Sequence, residues 1–219
     1  MSSFRQLMMK AKGGGNRLNP LIKIVGTPTI TDEFIYKDVS IVNNNGNYIY
    51  IDEIFPLSTA NTWSIQLKLK YDVNTYNTSL NSPFFAYEGG TSRDGYSPVF
   101  RAEGTSSPNY KHLRPLISAV GYHNWNINVS ESSYALVVGQ EYYFEFGFDG
   151  TKYYIKDLDN NTILWYKNDT RKVECSNKMT LLFGTYAPNG DLIEMCSGEM
   201  DLTKFKVFVN DNLYFSAVI

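Results

Sequence analysis

The chain has 219 residues, 43% of them hydrophobic and 15% aromatic, with 17 tyrosines and 13 phenylalanines. This length supports one sizeable core, and the aromatic enrichment favours β-strands. The formal net charge is −2 and no Lys/Arg run exceeds two residues, which excludes the basic footprint typical of nucleic-acid-binding proteins. No apolar run reaches the roughly 18 residues of a membrane-spanning helix. The N-terminal apolar stretch is too short for a signal peptide, so we expect synthesis in a cytoplasm.

The first 15 residues differ from the rest of the chain. Their apolar side chains recur at the spacing of one helical face, and this stripe consists of Phe4, Leu7, Met8 and Ala11. Three glycines at 13–15 end the predicted helix and form a hinge. We therefore predict an attachment segment at 1–15 and one β-domain at 16–219. A helix of about ten residues is marginal in water, and three interpretations stay open: a peptide that anchors on a partner protein, a disordered terminus, and a membrane-surface helix.

Strand patterns begin after residue 16. The clearest lies at 63–71, where apolar and polar residues alternate. Its inward residues are predicted to be Trp63, Ile65, Leu67, Leu69 and Tyr71. Other strands are predicted at 21–25, 29–36, 48–51, 83–87 and 99–103. The remainder of 88–115 is predicted to be irregular because it is rich in glycine and proline.

A central meander is predicted at 141–167. Large aromatic side chains occupy one of its faces, namely Tyr142, Phe144, Phe146 and Phe148. The Asp149-Gly150 turn that follows suits a hairpin. A two-residue loop would pair Phe146 with Tyr153, and a four-residue loop would keep the same parity. Either even loop keeps Lys156 out of the core, so we predict an even loop.

Strands are also predicted at 116–120 and 125–129, and then at 179–186, 192–195, 205–209 and 213–218. The chain thus carries about a dozen strands and no convincing helix after residue 15. This density of short strands and turns predicts an all-β, two-sheet antiparallel jelly-roll sandwich. Trp63 and Trp165 fit inward strand positions and are predicted to lie in its core.

Candidate metal and disulfide positions have ordinary structural alternatives. Cys175 and Cys196 are the only cysteines; we expect two reduced, buried residues, with one disulfide as the alternative. Hard oxygen ligands for calcium cluster near two turns, at Asp149, Asp157, Asp159, Asn160 and Asn161. Turn chemistry alone explains these residues, since Asp and Asn cap turns. We therefore predict no cofactor and keep calcium as the alternative.

Several stretches resemble a known family. They are residues 26–30, 63–72, 146–154, 198–205 and 209–213. Together they look like concanavalin A-like (laminin-G-like) jelly-roll domains, most of all those of phage fibres and other phage surface proteins. The resemblance implies two stacked antiparallel sheets and, in many members, glycan binding. The short N-terminal segment with its glycine hinge resembles the particle-attachment peptides of fibre proteins.

Glycoside hydrolases share this sandwich, so their catalytic motif was sought. Hydrolases of the fold carry Glu-x-Asp-x-x-Glu on one strand, and the nearest match here is Glu199-Met200-Asp201. The second glutamate of the motif is missing. Glu141 and Glu145 are four residues apart, too far along a strand to pair directly. The sequence therefore predicts that the protein is not an enzyme.

A glycan site needs an exposed aromatic platform beside hydrogen-bonding side chains. One loop edge supplies both at Tyr122, His123, Asn124 and Trp125. The alternative is that Trp125 packs as an ordinary core residue at a strand end.

These observations lead to one expectation of function. We expect a non-enzymatic phage virion protein of the tail-fibre, head-fibre or capsid-decoration type, located at the virion surface. Its N-terminal segment would bind other virion proteins and its sandwich would form a homo-oligomer (trimer or dimer). Two versions stay open: a fibre tip that binds a host-surface glycan, and a head-fibre or decoration protein whose lectin fold no longer binds sugar. We expect no nucleic acid and no membrane as partners. The alternatives are a bacterial carbohydrate-binding protein and a glycoside hydrolase of the same fold.

Overall fold

The computed structural model describes part of the chain. The described residues are 17–25, 29–30, 34–37, 48–71, 82–87, 98–103, 110–119, 127, 134–137, 139–174, 180–182, 184–186, 192–195 and 198–219. The anchor stripe in 1–15, both cysteines and the candidate glycan residues 122–125 lie outside these ranges. Within the described ranges no helix has the length and apolar character needed to cross a bilayer.

The regular secondary structure within the described ranges consists of β-strands. In chain order these are β1 (Ile22–Val25), β2 (Thr29–Ile30), β3 (Phe34–Lys37), β4 (Tyr48–Ile51), β5 (Trp63–Tyr71), β6 (Ser82–Tyr87), β7 (Val99–Glu103), β8 (Tyr110–Leu116), β9 (Ala135–Val137), β10 (Glu141–Phe148), β11 (Lys152–Asp157), β12 (Thr162–Asn168), β13 (Thr180–Leu182), β14 (Gly184–Tyr186), β15 (Leu192–Met195), β16 (Gly198–Val209) and β17 (Asn212–Ser216).

Two antiparallel sheets stack face to face. One has seven strands in the order β1-β4-β13-β6-β7-β8-β9. The other has eight: seven in the order β12-β11-β10-β5-β16-β3-β2, with β17 paired to β16. A separate two-stranded sheet pairs β14 with β15. This architecture confirms the prediction of an all-β, two-sheet sandwich.

The core lies where the aromatic face of β10 meets the seven-stranded sheet. Phe144 and Phe146 are fully buried. The ring of Phe100 on β7 meets Phe144 edge-on at 5.7 Å and stacks on Phe146 at 5.6 Å, so these three rings join the two sheets. Trp63 on β5 meets Phe146 edge-on at 5.4 Å. The inward positions predicted for β5 and β10 are thus confirmed wherever their side chains are described.

The β10–β11 hairpin has an even loop, as predicted, and of the two even lengths it has the four-residue loop. Phe148 pairs with Tyr153 and Phe146 with Ile155, so four residues separate the paired positions. The pairing of Phe146 with Tyr153, which a two-residue loop requires, is wrong. Asp149 explains the longer turn, because its carboxylate accepts hydrogen bonds from the backbone of the next residues and holds the loop open.

A β-bulge on β12 places two side chains that are two residues apart on opposite faces of the strand. Ile155 pairs with Trp165, whereas Lys156 pairs with Ile163, and the register shifts between them. Trp165 therefore packs partly buried against the core, as predicted. Ile163 lies on the opposite face and is 45% exposed.

The region before residue 120 differs from prediction. A seven-residue strand, β8, lies inside the stretch predicted to be irregular, and it ends at Leu116 where a strand was expected to begin. Pro115 is tolerated there, opposite Phe100 on β7. Among the residues described directly after β8, Ala119 forms an isolated bridge with Val173. The glycine and proline content of 88–115 hid this strand.

The two described ends of the chain are joined. The backbone N–H of Arg17 donates a hydrogen bond to the Ile219 carbonyl oxygen at 2.9 Å, and the backbone N–H of Ile219 donates one to the Arg17 carbonyl oxygen at 2.8 Å. Leu18 forms an antiparallel bridge with Val218. Residue 17 therefore lies beside residue 219.

Candidate functional site

The candidate site is the outer face of the eight-stranded sheet, the face turned away from the sandwich core. On β5, Ile65, Leu67 and Leu69 are buried, while the side chains between them point the other way. The same alternation on β10 and β11 adds more outward side chains. The middle of this face is formed by Gln66, Lys68, Lys70, Glu141, Tyr143, Glu145, Tyr154 and Lys156.

A hydrogen-bonded group occupies the centre of the outer face. Glu145 Oε2 accepts a hydrogen bond from Gln66 Nε2 at 2.7 Å, and its Oε1 accepts one from the Tyr154 hydroxyl at 2.9 Å. The Tyr143 hydroxyl donates to Gln66 Oε1 at 3.3 Å. These four side chains, which we call the Glu145 network, are all half-buried. Their mutual hydrogen bonds fix the orientation of each polar group.

Glycine at position 147 makes room for Tyr154. A Cβ at this position would lie 2.7 Å from the Tyr154 hydroxyl oxygen and 2.8 Å from both Tyr154 Cζ and the Trp63 carbonyl oxygen. The Tyr154 side chain therefore lies directly across the β10 backbone at Gly147, its partner in the sheet register. Burial, followed by the neighbouring Glu145 carboxylate, raises the pKa of Tyr154 well above the usual tyrosine range. Tyr154 is thus a neutral donor to Glu145 at physiological pH.

An exposed aromatic ring borders the network. Tyr166 on β12 lies directly opposite Tyr154 in the register, on the same face, and is 59% exposed. The Lys152 ammonium lies 5.9 Å from the centre of the Tyr166 ring, and it also pairs with Asp149 at 3.6 Å. The cation and the ring attract each other, which favours one orientation of the ring.

Ion pairs occupy the far end of the face. Lys68 Nζ lies 3.3 Å from Glu141 and Lys70 Nζ lies 3.7 Å from Glu199. Asp201 Oδ1 accepts hydrogen bonds from the Thr203 backbone N–H and hydroxyl, at 2.9 and 2.6 Å, where the β16 register shifts. The same residues line a shallow depression, formed by Lys68, Leu69, Lys70, Glu141, Glu199 and Asp201.

This depression differs from a glycosidase site in the groups that lie beside its carboxylates. Glu141 and Glu199 flank Lys70 on the two neighbouring strands. Each carboxylate is within ion-pair distance of a lysine. A glycosidase needs one carboxylic acid that can give its proton to the leaving oxygen, whereas both of these carboxylates lie beside lysine ammonium groups.

The candidate calcium ligands act as turn caps. Asp149 Oδ1 accepts hydrogen bonds from Thr151 N at 2.9 Å, Thr151 Oγ1 at 2.7 Å and Lys152 N at 2.9 Å. Partial burial alone would raise the pKa of Asp149, but these hydrogen bonds outweigh it and the pKa is lowered. Asp157 caps the next turn, accepting from Asp159 N at 2.9 Å and from Asn160 Nδ2 at 2.7 Å. In the described part of the chain no three His, Cys, Asp or Glu residues form a metal-binding group.

The glycan site predicted at residues 122–125 stays a prediction. These residues lie outside the described ranges, between Ala119 and Ile127 in the sequence, which are both described and buried. The sequence did not predict that the residues of the Glu145 network contact one another. Strand alternation did place Gln66 and Glu145 on a wet face, but their contact joins residues 79 positions apart.

Comparison with known proteins defines the fold. No family model and no curated protein matches the sequence. The enzymatically active domain of tailspike protein 2 from bacteriophage CBA120 matches with a TM-score of 0.50 at 13% identity, over 90% of this chain and 30% of that chain. A SAP-like pentraxin from Limulus polyphemus gives 0.46 at 12% identity, over 71% and 66%. The Ca2+/Man-bound exoplasmic/lumenal domain of VIP36 gives 0.45 at 9% identity, over 88% and 91%.

The chain spans less than a third of the tailspike domain that it resembles. At these identities the likeness concerns the fold. Together with the two stacked antiparallel sheets, it leads to one conclusion: the protein folds as a jelly-roll sandwich of the concanavalin A-like type.

Proposed function

We propose that this chain is a non-enzymatic adhesion protein of a phage particle that binds a host-surface glycan through the outer face of its eight-stranded sheet. One observation carries the proposal: the fixed, half-buried Glu145 network lies on the outer sheet face beside the exposed ring of Tyr166. Sugars are recognised by such combinations, because a pyranose offers hydroxyl groups at its rim and apolar C–H groups on its faces.

The Glu145 network has a more fixed arrangement of polar side chains than the solubility of a sheet face requires. A wet sheet face needs only solvated side chains, and here Glu145, Gln66 and Tyr154 are instead held against one another at 2.7 and 2.9 Å. Fixed polar groups lose little conformational entropy when a ligand binds. This pre-organisation favours a binding role over a purely structural one.

Catalysis is disfavoured by the chemistry of the carboxylates. Glu145 already accepts two hydrogen bonds, and Glu141 and Glu199 are ion-paired. The motif glutamate that hydrolases of this fold carry is absent after Asp201. We therefore propose binding without bond cleavage.

The phage part of the proposal rests on the fibre-like sequence motifs and on the stripe of Phe4, Leu7, Met8 and Ala11. Residue 17 pairs with the last residue of the chain, so a preceding segment is available at the margin of the sandwich for attachment. One short peptide gives little net binding energy. We propose a trimer or dimer, because several linked anchors raise the effective concentration without new contacts.

Binding and cleavage can be tested on the same material. The purified protein is applied to immobilised surface polysaccharides from a panel of bacteria, and the supernatant is assayed for new reducing ends. We expect retention on at least one polysaccharide and no reducing ends after long incubation. Retention on none would overturn the glycan proposal.

A glycoside hydrolase is the second candidate, because three carboxylates line the depression at the far end of the face. It predicts reducing ends that disappear in Glu141→Gln and Glu199→Gln. The appearance of such activity would overturn the non-enzymatic proposal and place the reaction at these two residues.

A further inference from the structure

Resting on the proposed glycan-binding function, we propose that the sugar site is the Tyr166 end of the outer face and that it takes an uncharged pyranose unit. Tyr166 would stack on the C–H face of the sugar, and Glu145 and Gln66 would bind its hydroxyl groups. The ion-paired end of the face lies outside this site.

The aromatic part of the site follows from strand pairing. Tyr154 and Tyr166 lie side by side on one face, and Gly147 lets Tyr154 lie low across β10. Tyr166 is 59% exposed with Lys152 already beside it, so much of the ring is free to contact a ligand. An exposed aromatic ring beside a second ring that lies closer to the sheet forms a step, and a flat ligand fits against this step.

The polar part follows from counting hydrogen-bonding positions. A carboxylate has about four acceptor positions and a primary amide has two donors and two acceptors. Within the Glu145 network, each Glu145 oxygen accepts one side-chain hydrogen bond, and Gln66 makes one bond through each of its polar atoms. Both groups therefore retain acceptor capacity, and Gln66 retains a donor. Sugar hydroxyls, which both donate and accept, match this combination.

The charges of the face select against acidic sugars. Its described cations include Lys68, Lys70, Lys152, Lys156 and Lys206, and its described anions include Glu141, Glu145, Asp149, Glu199 and Asp201. Asp159 and Asp211 are also near enough to raise the pKa of Tyr143 and of Tyr154, respectively. A surface with charges of both signs interspersed creates no net field that would attract an anion. At the centre stands the Glu145 carboxylate, which offers only acceptors and repels a uronate carboxylate. An uncharged sugar avoids that repulsion.

The experiment compares two charge classes of ligand on matched variants. Isothermal titration calorimetry is run with maltohexaose, mannohexaose and a galactan hexasaccharide as neutral probes, and with hexagalacturonate as the acidic probe. For wild type we expect binding of a neutral probe at least tenfold tighter than of hexagalacturonate. We expect Tyr166→Ala to weaken that binding about tenfold, which corresponds to roughly 1.4 kcal/mol. Tyr166→Phe keeps the ring and should stay within about threefold of wild type.

Leu213→Ala is the matched control, because Leu213 is similarly exposed, at 56%, on another strand of the same sheet. It should bind as wild type does. Backbone amide shifts of Tyr166 and Gln66 during titration of wild type with the neutral probe provide a second measurement. This one does not depend on the folding of a variant.

The outcomes separate this site from the proposed function. If the wild type retains none of the surface polysaccharides and none of the hexasaccharides, the glycan function itself fails. If a neutral probe binds, Tyr166→Ala has no effect and Trp125→Ala abolishes binding, the function stands and the site assignment is wrong. Tighter binding of hexagalacturonate than of every neutral probe would overturn the uncharged-ligand assignment.

Discussion

Replacing Gly147 with alanine tests the packing that shapes the outer face. Alanine normally stabilises a strand interior relative to glycine, by about 0.5–1 kcal/mol. Here its Cβ would lie 2.7 Å from the Tyr154 hydroxyl oxygen and 2.8 Å from the Trp63 carbonyl oxygen. The carbonyl belongs to β5, which pairs with β10 along its whole length, so Tyr154 is the group that must move.

The expected cost combines two effects. Overpacking of this kind costs about 1–3 kcal/mol. Displacing Tyr154 also breaks its 2.9 Å hydrogen bond to Glu145, which contributes about 1 kcal/mol at this half-exposed position. After the gain from the glycine replacement, Gly147→Ala should lower the free energy of unfolding by about 1–3 kcal/mol. For a chain of this size each kcal/mol lowers the Tm by about 2–4 °C.

Urea denaturation of four proteins measures this effect: wild type, Gly147→Ala, Tyr154→Ala and the double variant. The penalty of Gly147→Ala should shrink in the Tyr154→Ala background, where only the contact with the Trp63 carbonyl remains. Alkaline titration of tyrosinate absorbance gives an independent measurement. Burial and Glu145 hold the pKa of Tyr154 high, so its displacement should return one tyrosine to the ordinary range. A Gly147→Ala protein as stable as wild type, with an unchanged titration, would refute this account.

Three further predictions concern the core, the acid response and the attachment segment. Phe146→Ala should cost about 3–5 kcal/mol of unfolding free energy, because the ring is fully buried between the sheets, whereas Leu213→Ala should stay within about 0.5 kcal/mol; equal losses would contradict the assigned faces. A hydrogen bond from the Arg171 side chain lowers the pKa of Asp169. The ionised Asp169 therefore stabilises the folded protein above about pH 4, and this stabilisation is lost as the pH falls through the lowered pKa. In thermal melts, Arg171→Met should lose less stability than wild type between about pH 4 and 2. Deleting residues 1–12 should leave a folded domain that is absent from assembled particles; incorporation at the wild-type level would show that attachment runs through the sandwich.

The period-2 pattern of single strands determined most of the fold. Alternation in 63–71 and 141–148 assigned the inward faces of the two strands at the centre of the eight-stranded sheet, and the structure has the same faces. This worked because a strand's side chains alternate whatever it pairs with. Period-2 alternation fails within β12, because a bulge on that strand places Ile163 and Trp165 on opposite faces and leaves no clear mark in the sequence. It also failed at β8, where glycine and proline concealed a strand.

The site depended on long-range pairing. The sequence identified Glu145 as an outward residue that is too far from Glu141 to form a catalytic pair. Only the register of β10 between β5 and β11 brings Glu145 beside Gln66 and Tyr154, and only the absence of a Cβ at Gly147 lets Tyr154 reach it. A local pattern records which face a side chain occupies, because that depends on its own strand. Which side chains meet across a sheet depends on strand order and register, and these are set by the packing of the whole sandwich.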